Sequence, residues 1–268
     1  MPVDRTSEVC DLKIELSHWS APQLDQLVSL LAWLVVGHVL HVEQILTGSV
    51  SDDPAITERM VDIAKEKLHC ADRNTVDKYG HAVPHPCVVH RDGWLFQLIS
   101  WIVSSKEFPG TIIKTPQPRK TESGFDGLLL KLDGSTILYV LMVEDKATDD
   151  PRNTVRNKVW PEFKSYETGE RDPELVAEAS VLLRHWPGID ANQVVKAVDW
   201  LSKKRYRASV ATTKDNLPAQ VHVFEGYEDT VPGDPQRRLA NLLLCANMRD
   251  FFEDLSHRIS DELERMRP

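Results

Sequence analysis

Cysteine and glycine are scarce in this sequence, and basic residues are outnumbered by acidic ones. Its 268 residues include 4 Cys and 12 Gly, and 32 Lys and Arg stand against 41 Asp and Glu, which gives a net charge of −9. Four cysteines, at positions 10, 70, 87 and 245, are too few for a disulfide framework in a chain of this length. The acidic balance also excludes a protein whose whole surface is basic for bulk polyanion binding, so any nucleic-acid contact has to be local.

Signals for secretion, membrane insertion and nucleotide binding are missing as well. The start of the chain has no basic region followed by an apolar stretch, so we expect no secretory signal. The most apolar window, 27–46, contains His38, His41 and Glu43 and lacks flanking basic residues, which favours a buried helix over a membrane span. P-loop, Rossmann and G-x-S-x-G motifs are absent. We therefore expect a cytoplasmic protein that has no membrane contact.

The remaining composition, 41% hydrophobic and 27% charged, is that of a globular protein. Helical periodicity predicts helices through about residue 75, with a capping box at 20–23 before a helix to about 46, and a second helix from Asp52 or Asp53 to about 68. Prolines and a glycine in 70–90 predict a loop. We therefore predict an N-terminal helical region, 1–88, and a second domain, 89–268.

The second domain mixes helices and strands. Asp133-Gly134 is a turn signal between two apolar runs, which predicts a hairpin. The predicted elements are an apolar helix from 91, a short strand at 111–114, the hairpin strands 124–132 and 135–146, helices at 150–166, 173–186 and 192–203, strands at 205–213 and 220–227, and a long helix at 235–266. This order predicts an α/β (α+β) fold with a central mixed sheet flanked by helices.

Three ionisable residues stand beside these apolar strands. Asp126 comes at the start of the first hairpin strand, and Glu144 and Lys146 end the second one, after the run LYVLMV. Charged groups in a buried strand are costly unless they are paired or bind a metal. Because side chains alternate along a strand, Glu144 and Lys146 share one face. Two carboxylates and an amine on one face suit a hard divalent cation beside a water nucleophile.

The pattern Asp126…Glu144-x-Lys146 resembles the PD-(D/E)XK nuclease superfamily, and the order helix, hairpin, helix over 89–167 is also similar. The resemblance implies a restriction-endonuclease-like core and a Mg²⁺ or Mn²⁺ cofactor. It implies that Asp126, Glu144 and the backbone carbonyl of Asp145 hold the metal. Lys146 would orient the attacking water and stabilise charge on the phosphate.

Three further residues match the family pattern only in part. The helix before the hairpin often offers a glutamate to such sites, and here the candidate is Gln97. In the following helix, RecB-like members carry Gln-x-x-x-Tyr, whereas this chain has Glu162 and Tyr166. A shared site also requires Asp126 and Glu144 to lie on the same face of the hairpin. A regular two-residue turn at Asp133-Gly134 would put them on opposite faces, so we predict a three-residue loop or one β-bulge.

Basic residues gather after the motif and before a late strand. We predict that they contact phosphates near the metal, with Arg119 and Lys120 as weaker candidates. The alternative is a solvated helix face. The predicted nucleic-acid-binding residues are Arg152, Arg156, Lys158, Lys164, Lys203, Lys204, Arg205 and Arg207.

The sequence leaves several alternatives open. We predict a metal-dependent nuclease that hydrolyses DNA and acts with a helicase, ATPase or sensor subunit, and antiviral defence is the setting that the resemblance implies. The alternative is a catalytically inactive scaffold that keeps the nuclease fold. The cluster Cys70, His81, His85, Cys87 and His90 is dense enough for zinc but fits no standard spacing, so we favour a loop. The C-terminal helix either packs on its own core or docks a partner.

Overall fold

A seven-stranded mixed sheet forms the centre of the molecule. The computed structural model describes residues 2–10, 14–49, 52–118, 125–184, 186, 189–196, 200–216 and 220–268. The sheet strands are β1 (Asp4–Cys10), β2 (Ile14–Ser20), β5 (Thr111–Ile113), β6 (Gly127–Asp133), β7 (Thr136–Ala147), β8 (Lys204–Thr213) and β9 (Arg238–Cys245), and β3 (Asn74–Val76) pairs only with β4 (Ala82–Pro84). The order across the sheet is β1-β2-β9-β8-β7-β6-β5. Strands β2, β9, β8 and β7 run parallel, and the outer strands pair antiparallel.

Helices cover both faces of this sheet. One face packs against α1 (Leu24–Val35), α2 (Val39–Thr47), α3 (Glu58–Leu68), α4 (Pro86–Glu107) and α12 (Met248–Arg265). The other face packs against α5 (Pro151–Thr154), a π-helical turn (Val155–Val159), α6 (Trp160–Glu167), α7 (Asp172–Arg184), α8 (Ala191–Lys196), α10 (Gln220–Val223) and α11 (Tyr227–Thr230). The short helix α9 (Trp200–Lys203) leads into β8. The predicted mixed sheet flanked by helices is confirmed.

The central strands are largely buried on both sides because helices cover both faces of the sheet. Nearly every residue of β8 and β9 is buried, as are residues 140–145 of β7, which is typical of parallel strands in the middle of a layered α/β fold. The predicted helix from 91, the strand at 111, the hairpin, the helices beginning at 151 and 172, and the strand over 205–213 are confirmed. No helix within the described ranges combines the length and apolar character needed to cross a membrane.

Five predicted elements are wrong. Residues 4–10 and 14–20 are strands β1 and β2, not helix, and the predicted capping box is absent because the N-cap of α1 is Gln23, which makes no side-chain cap. Gly37, with φ of 96°, separates α1 from α2. The helix predicted from Asp52 or Asp53 begins only at Glu58, where Thr57 caps it. Residues 220–223 are helical, and the predicted C-terminal helix contains the central strand β9 before α12.

The predicted boundary at residues 88 and 89 falls inside α4. This helix runs without a break from Pro86 to Glu107, with His85 capping its first turn. Helices α1, α3, α4 and α12 share one hydrophobic cluster, so residues before and after the predicted boundary bury each other. The predicted loop over 70–90 contains the β3–β4 hairpin, and a disulfide between Cys70 and Cys87 closes this segment.

Candidate active site

A β-bulge in the β6–β7 hairpin sets the position of the site. Asp133 pairs with Thr136, so the turn consists of Gly134 and Ser135, and Gly134 has the positive φ of 56° that such a turn favours. The register then shifts, because Leu132 pairs with Ile137 but Lys131 pairs with Tyr139. Leu138 is therefore the extra residue of a bulge. The predicted bulge is confirmed, and beyond it Gly127 pairs with Val143.

This register brings the three predicted site residues together. The Nζ atom of Lys146 lies 2.9 Å from Oδ2 of Asp126 and 2.7 Å from Oε2 of Glu144. Asp126 precedes β6, and the other two residues end β7, so one amine joins the two strands of the hairpin. The side chains of Asp126 and Glu144 are each 10% exposed, and that of Lys146 is 26% exposed. The cluster is a partly open arrangement of two carboxylates and one amine.

Two further groups hold Asp126. Gln97 on α4 donates from Nε2 to Oδ1 of Asp126 over 2.6 Å. The backbone N–H of Asp145 donates to Oδ2 over 2.9 Å. Gln97, which the sequence predicts as a supporting residue, therefore lies at the cluster and orients the Asp126 carboxylate by donating to it.

Burial and charge set the ionisation of the site. Burial raises the pKa of Glu144 to about 8, the neighbouring Asp126 carboxylate raises it further, and the charge and hydrogen bond of Lys146 act in the opposite direction. Burial works to lower the pKa of Lys146, but the Glu144 and Asp126 carboxylates outweigh it, so the pKa is raised and the amine stays charged. Burial also raises the pKa of Asp145, to about 6, against the opposing effect of the Arg207 guanidinium. Glu144 therefore keeps its proton to a higher pH than an ordinary glutamate does.

A cleft of about 420 Å³ opens beside Lys146. Gln97 and Trp94 of α4 form one wall, and Thr148 and Lys158 form another. Its lining residues include Pro84, His90, Gly93, Asp145, Ala147, Asp149, Asp150, Thr154 and Arg249. Lys146 lines this cleft, so the amine end of the cluster faces it.

The two supporting residues after the motif lie near the site but have other partners. Glu162 forms an ion pair with Arg171, and it is close enough to raise the pKa of Glu144. Tyr166 is buried, with its ring stacked on Phe125 at 5.0 Å between centroids and the Arg171 guanidinium 4.7 Å from its ring. Both residues therefore contact Arg171, and both interact electrostatically with Glu144.

The predicted nucleic-acid-binding residues fall into two groups. Arg156, Lys158 and Lys164 are exposed, and Lys158 lines the cleft. Arg152 donates to the carbonyl of Glu225 over 2.6 Å, and the Arg205 guanidinium lies over the Tyr139 ring at 4.2 Å. Lys203 is half-buried, and Arg119 and Lys120 lie outside the described residues.

Two of these predictions are wrong. Lys204 is 1% exposed, and its Nζ donates to the carbonyl of Tyr166 over 2.6 Å and pairs with Asp172 over 2.7 Å. Arg207 is 1% exposed and binds serines of α4. Both belong to a strand that is buried on its two faces, so neither reaches a phosphate. From the sequence alone, a run of basic residues before an apolar strand can be either buried at the start of that strand or exposed as a surface patch.

The cysteine and histidine cluster is divided among different partners. Cys70 and Cys87 form the disulfide, so neither offers a free thiolate. His85 accepts a hydrogen bond from the backbone N–H of Cys87, and His81 lies 3.3 Å from Asp77. Within the described part of the chain, no three His, Cys, Asp or Glu side chains form a group that could hold a metal ion. The pair Asp126 and Glu144 offers two carboxylates only, which is the number Mg²⁺ commonly takes from a protein.

Sequence patterns did not identify two polar residues near the site, Ser100 and Asp92. Ser100 donates to Oδ1 of Asp145 over 2.9 Å. Asp92, which is fully buried, accepts from Arg91 over 2.8 Å and from Arg249 over 2.7 Å. Both residues stand inside the otherwise apolar helix α4. Because buried polar groups are normally hydrogen-bonded, their positions could have predicted buried hydrogen bonds on this helix.

Comparisons with known proteins give this chain no relatives: no family model, no curated protein and no solved structure matches it.

Proposed function

We propose that this chain is a Mg²⁺-dependent nuclease of the PD-(D/E)XK type, with a restriction-endonuclease-like core, that hydrolyses phosphodiester bonds of DNA. The observation that carries the proposal is the convergence of Asp126 and Glu144 on Lys146 at the end of β7. The order of elements supports it: helix α4, strands β5, β6 and β7 as an antiparallel meander, helices α5 and α6, and then β8 parallel to β7.

The donor set fits Mg²⁺ or Mn²⁺. Asp126 and Glu144 supply carboxylate oxygens and Asp145 a backbone carbonyl, and hard divalent cations prefer oxygen ligands. When bound, such an ion supplies Lewis acidity and lowers the pKa of water. The protein contributes a fixed first carboxylate, because Gln97 and the Asp145 N–H both donate to Asp126.

Lys146 supplies the remaining positive charge. Its Nζ lies within hydrogen-bond distance of both carboxylates and a quarter of its side chain is exposed toward the cleft. In this position it orients a water molecule and stabilises negative charge that develops on a phosphate oxygen. Because its pKa is raised, it acts as a cation and hydrogen-bond donor at neutral pH.

We also propose that the chain acts as the nuclease subunit of an antiphage complex with a helicase, ATPase or sensor subunit. The net charge of −9 supports this, because an acidic protein binds free DNA weakly and gains from a partner that delivers the substrate. The second candidate is an inactive scaffold with the nuclease fold. It is favoured by the ion pair between Glu162, a further acid near the site, and Arg171, because a carboxylate that is already paired is less available to a metal.

Cleavage of plasmid DNA with Mg²⁺ or Mn²⁺ tests the proposal. The variants Asp126→Asn, Glu144→Gln and Lys146→Met keep side-chain size and remove charge. Each is expected to lower the rate at least about 100-fold, the scale at which a group that stabilises transition-state charge contributes. Lys204→Met is the control, since Lys204 is also an ion-paired lysine of the central sheet but lies four residues before the strand position opposite Glu144. Cleavage that survives in Glu144→Gln, or wild-type protein that binds no Mn²⁺, would favour the scaffold.

A further inference from the structure

A layer of buried polar residues lies between α4 and the sheet, behind the candidate site. Asp145, Ser209, Asn241 and Ser17 pair in register across β7, β8, β9 and β2, and each is at most 3% exposed. Polar side chains in this position interrupt an otherwise apolar interface, and they need a reason other than core packing.

Arg207 is the cation of this layer. Its guanidinium donates from Nη2 to Oγ of Ser100 over 2.6 Å and to Oγ of Ser104 over 2.7 Å. Its Nη1 lies 3.9 Å from Glu107, and neither Nε nor Nη1 has a hydrogen-bond partner among the described residues. A guanidinium buried with incomplete hydrogen bonding gives no net stability over a well-packed apolar side chain, so stability alone does not account for Arg207.

The connection from Arg207 to the site passes through Ser100. This serine accepts from Arg207 and donates to Oδ1 of Asp145 over 2.9 Å. The side chain of Asp145 thus points away from the cluster, while its backbone N–H donates to Asp126 on the other side. Fixing the Asp145 side chain therefore fixes the backbone that orients Asp126 and that offers the carbonyl ligand.

We propose that Arg207 is a positioning residue of the candidate metal site, acting through Ser100 on Asp145. This rests on the proposed function, since it assumes that Asp126 and the Asp145 carbonyl bind a divalent cation. The proposal also replaces the prediction that Arg207 contacts a phosphate. Arg207 positions Asp145 from inside the core, and the groups that line the cleft contact the substrate.

Two serines of α4 make a matched test. Ser100 and Ser104 lie one helical turn apart, both are at most 2% exposed, and both accept from Arg207. Only Ser100 bonds to Asp145, whereas Ser104 donates to the carbonyl of Ser100. Ser100→Ala and Ser104→Ala therefore remove the same atoms from the same environment, but only the first breaks the connection to the site.

Calorimetric titration of the full chain measures the Mn²⁺ affinity of each variant. Thermal unfolding without metal measures its Tm and serves as the control for stability. We expect Ser100→Ala to weaken Mn²⁺ binding about tenfold, the scale reported for partners that orient metal ligands, and Ser104→Ala to change it less than about twofold. Both variants should lower the Tm by similar amounts. Arg207→Lys keeps the charge but loses the forked geometry of the guanidinium, so it should weaken Mn²⁺ binding as much as Ser100→Ala does. Arg238 is another buried arginine of the sheet, and Arg238→Lys should bind Mn²⁺ like the wild type.

The double variant Ser100→Ala/Arg207→Lys should bind no more weakly than either single variant, because both act on one connection. Equal weakening by Ser100→Ala and Ser104→Ala, or wild-type affinity in Ser100→Ala, would overturn the positioning role while the metal site stands. Absence of Mn²⁺ binding by the wild type would instead overturn the proposed function, and the positioning role with it.

Discussion

The backbone N–H of Asp145 donates to Oδ2 of Asp126 over 2.9 Å, so the strand that carries Glu144 and Lys146 also orients the other carboxylate. A main-chain donor cannot be lost by a side-chain rotation. The direction of this N–H bond depends on the register between β6 and β7 and on the position of the Asp145 backbone. The candidate site therefore depends on strand pairing as much as on its three charged side chains.

The bulge at Leu138 gives the first test of this dependence. Leu138 is 43% exposed and is the unpaired residue of β7. Its deletion leaves every other pair of the hairpin intact, so we expect Mn²⁺ affinity within about twofold of wild type and a stability change near or below about 1 kcal/mol. Calorimetry and urea unfolding measure the two quantities.

Deletion of Lys131 is the matched control. Lys131 pairs with Tyr139, so its loss shifts β6 by one position relative to the site end of β7. A one-residue shift reverses the face of each side chain, and Mn²⁺ binding should be lost. If both deletions had the same effect on Mn²⁺ binding, the register would not be what sets the site.

The raised pKa of Glu144 gives a prediction about pH and stability. In the folded protein this carboxyl keeps its proton up to about pH 8, whereas its ordinary value is 4.5. Between these values the folded state binds the extra proton, so the free energy of unfolding falls as pH rises, by at most about 1.4 kcal/mol per pH unit. Urea unfolding in EDTA at pH 5.5 and 7.5 should show this loss, and Glu144→Gln should show a smaller one. Equal slopes in both proteins would contradict the shift.

The disulfide between Cys70 and Cys87 predicts a dependence on reductant. It closes a segment with a sequence separation of 17 that contains the β3–β4 hairpin. A crosslink over a loop of this length stabilises by about 3 kcal/mol, chiefly by restricting the unfolded chain. Reductant should lower the free energy of unfolding of the wild type by about this amount. It should leave Cys70→Ser/Cys87→Ser unchanged, and an equal response in both would mean that the bond does not form.

The candidate site could be found from the sequence because its signal is local. Glu144 and Lys146 follow a long apolar run, and a charge in such a place is costly enough to demand a partner. The bulge followed from counting residues across the hairpin. Ser100 and Arg207 could not be linked in this way, since they are 107 positions apart and meet only when β8 packs under α4.

The errors in the fold have a common physical cause. Strand β9, with the sequence RLANLLLC, is buried on both faces, so it lacks the alternation that identifies a half-exposed strand. A short apolar run of this kind is equally compatible with a buried helix. The hairpin of β1 and β2 was missed for another reason: in β2 only Ile14 and Leu16 show the apolar period of two, because polar Ser17 and His18 interrupt it.

Lys158 is the cation best placed to meet a nucleic acid. It is exposed, lies on the π-helical turn after the site and lines the cleft beside Lys146. If the chain binds DNA as proposed, Lys158→Ala should weaken the binding. It should also reduce the slope of log K against the logarithm of salt concentration by about one, which is the contribution of one phosphate contact. Lys164→Ala is the matched control, since Lys164 is also exposed on the same helical run but does not line the cleft. Titration of fluorescent duplex DNA, with Ca²⁺ in place of Mg²⁺, at several salt concentrations measures both. If the Lys164 variant lost as much slope as the Lys158 variant, DNA would follow the outer helix surface and not the cleft.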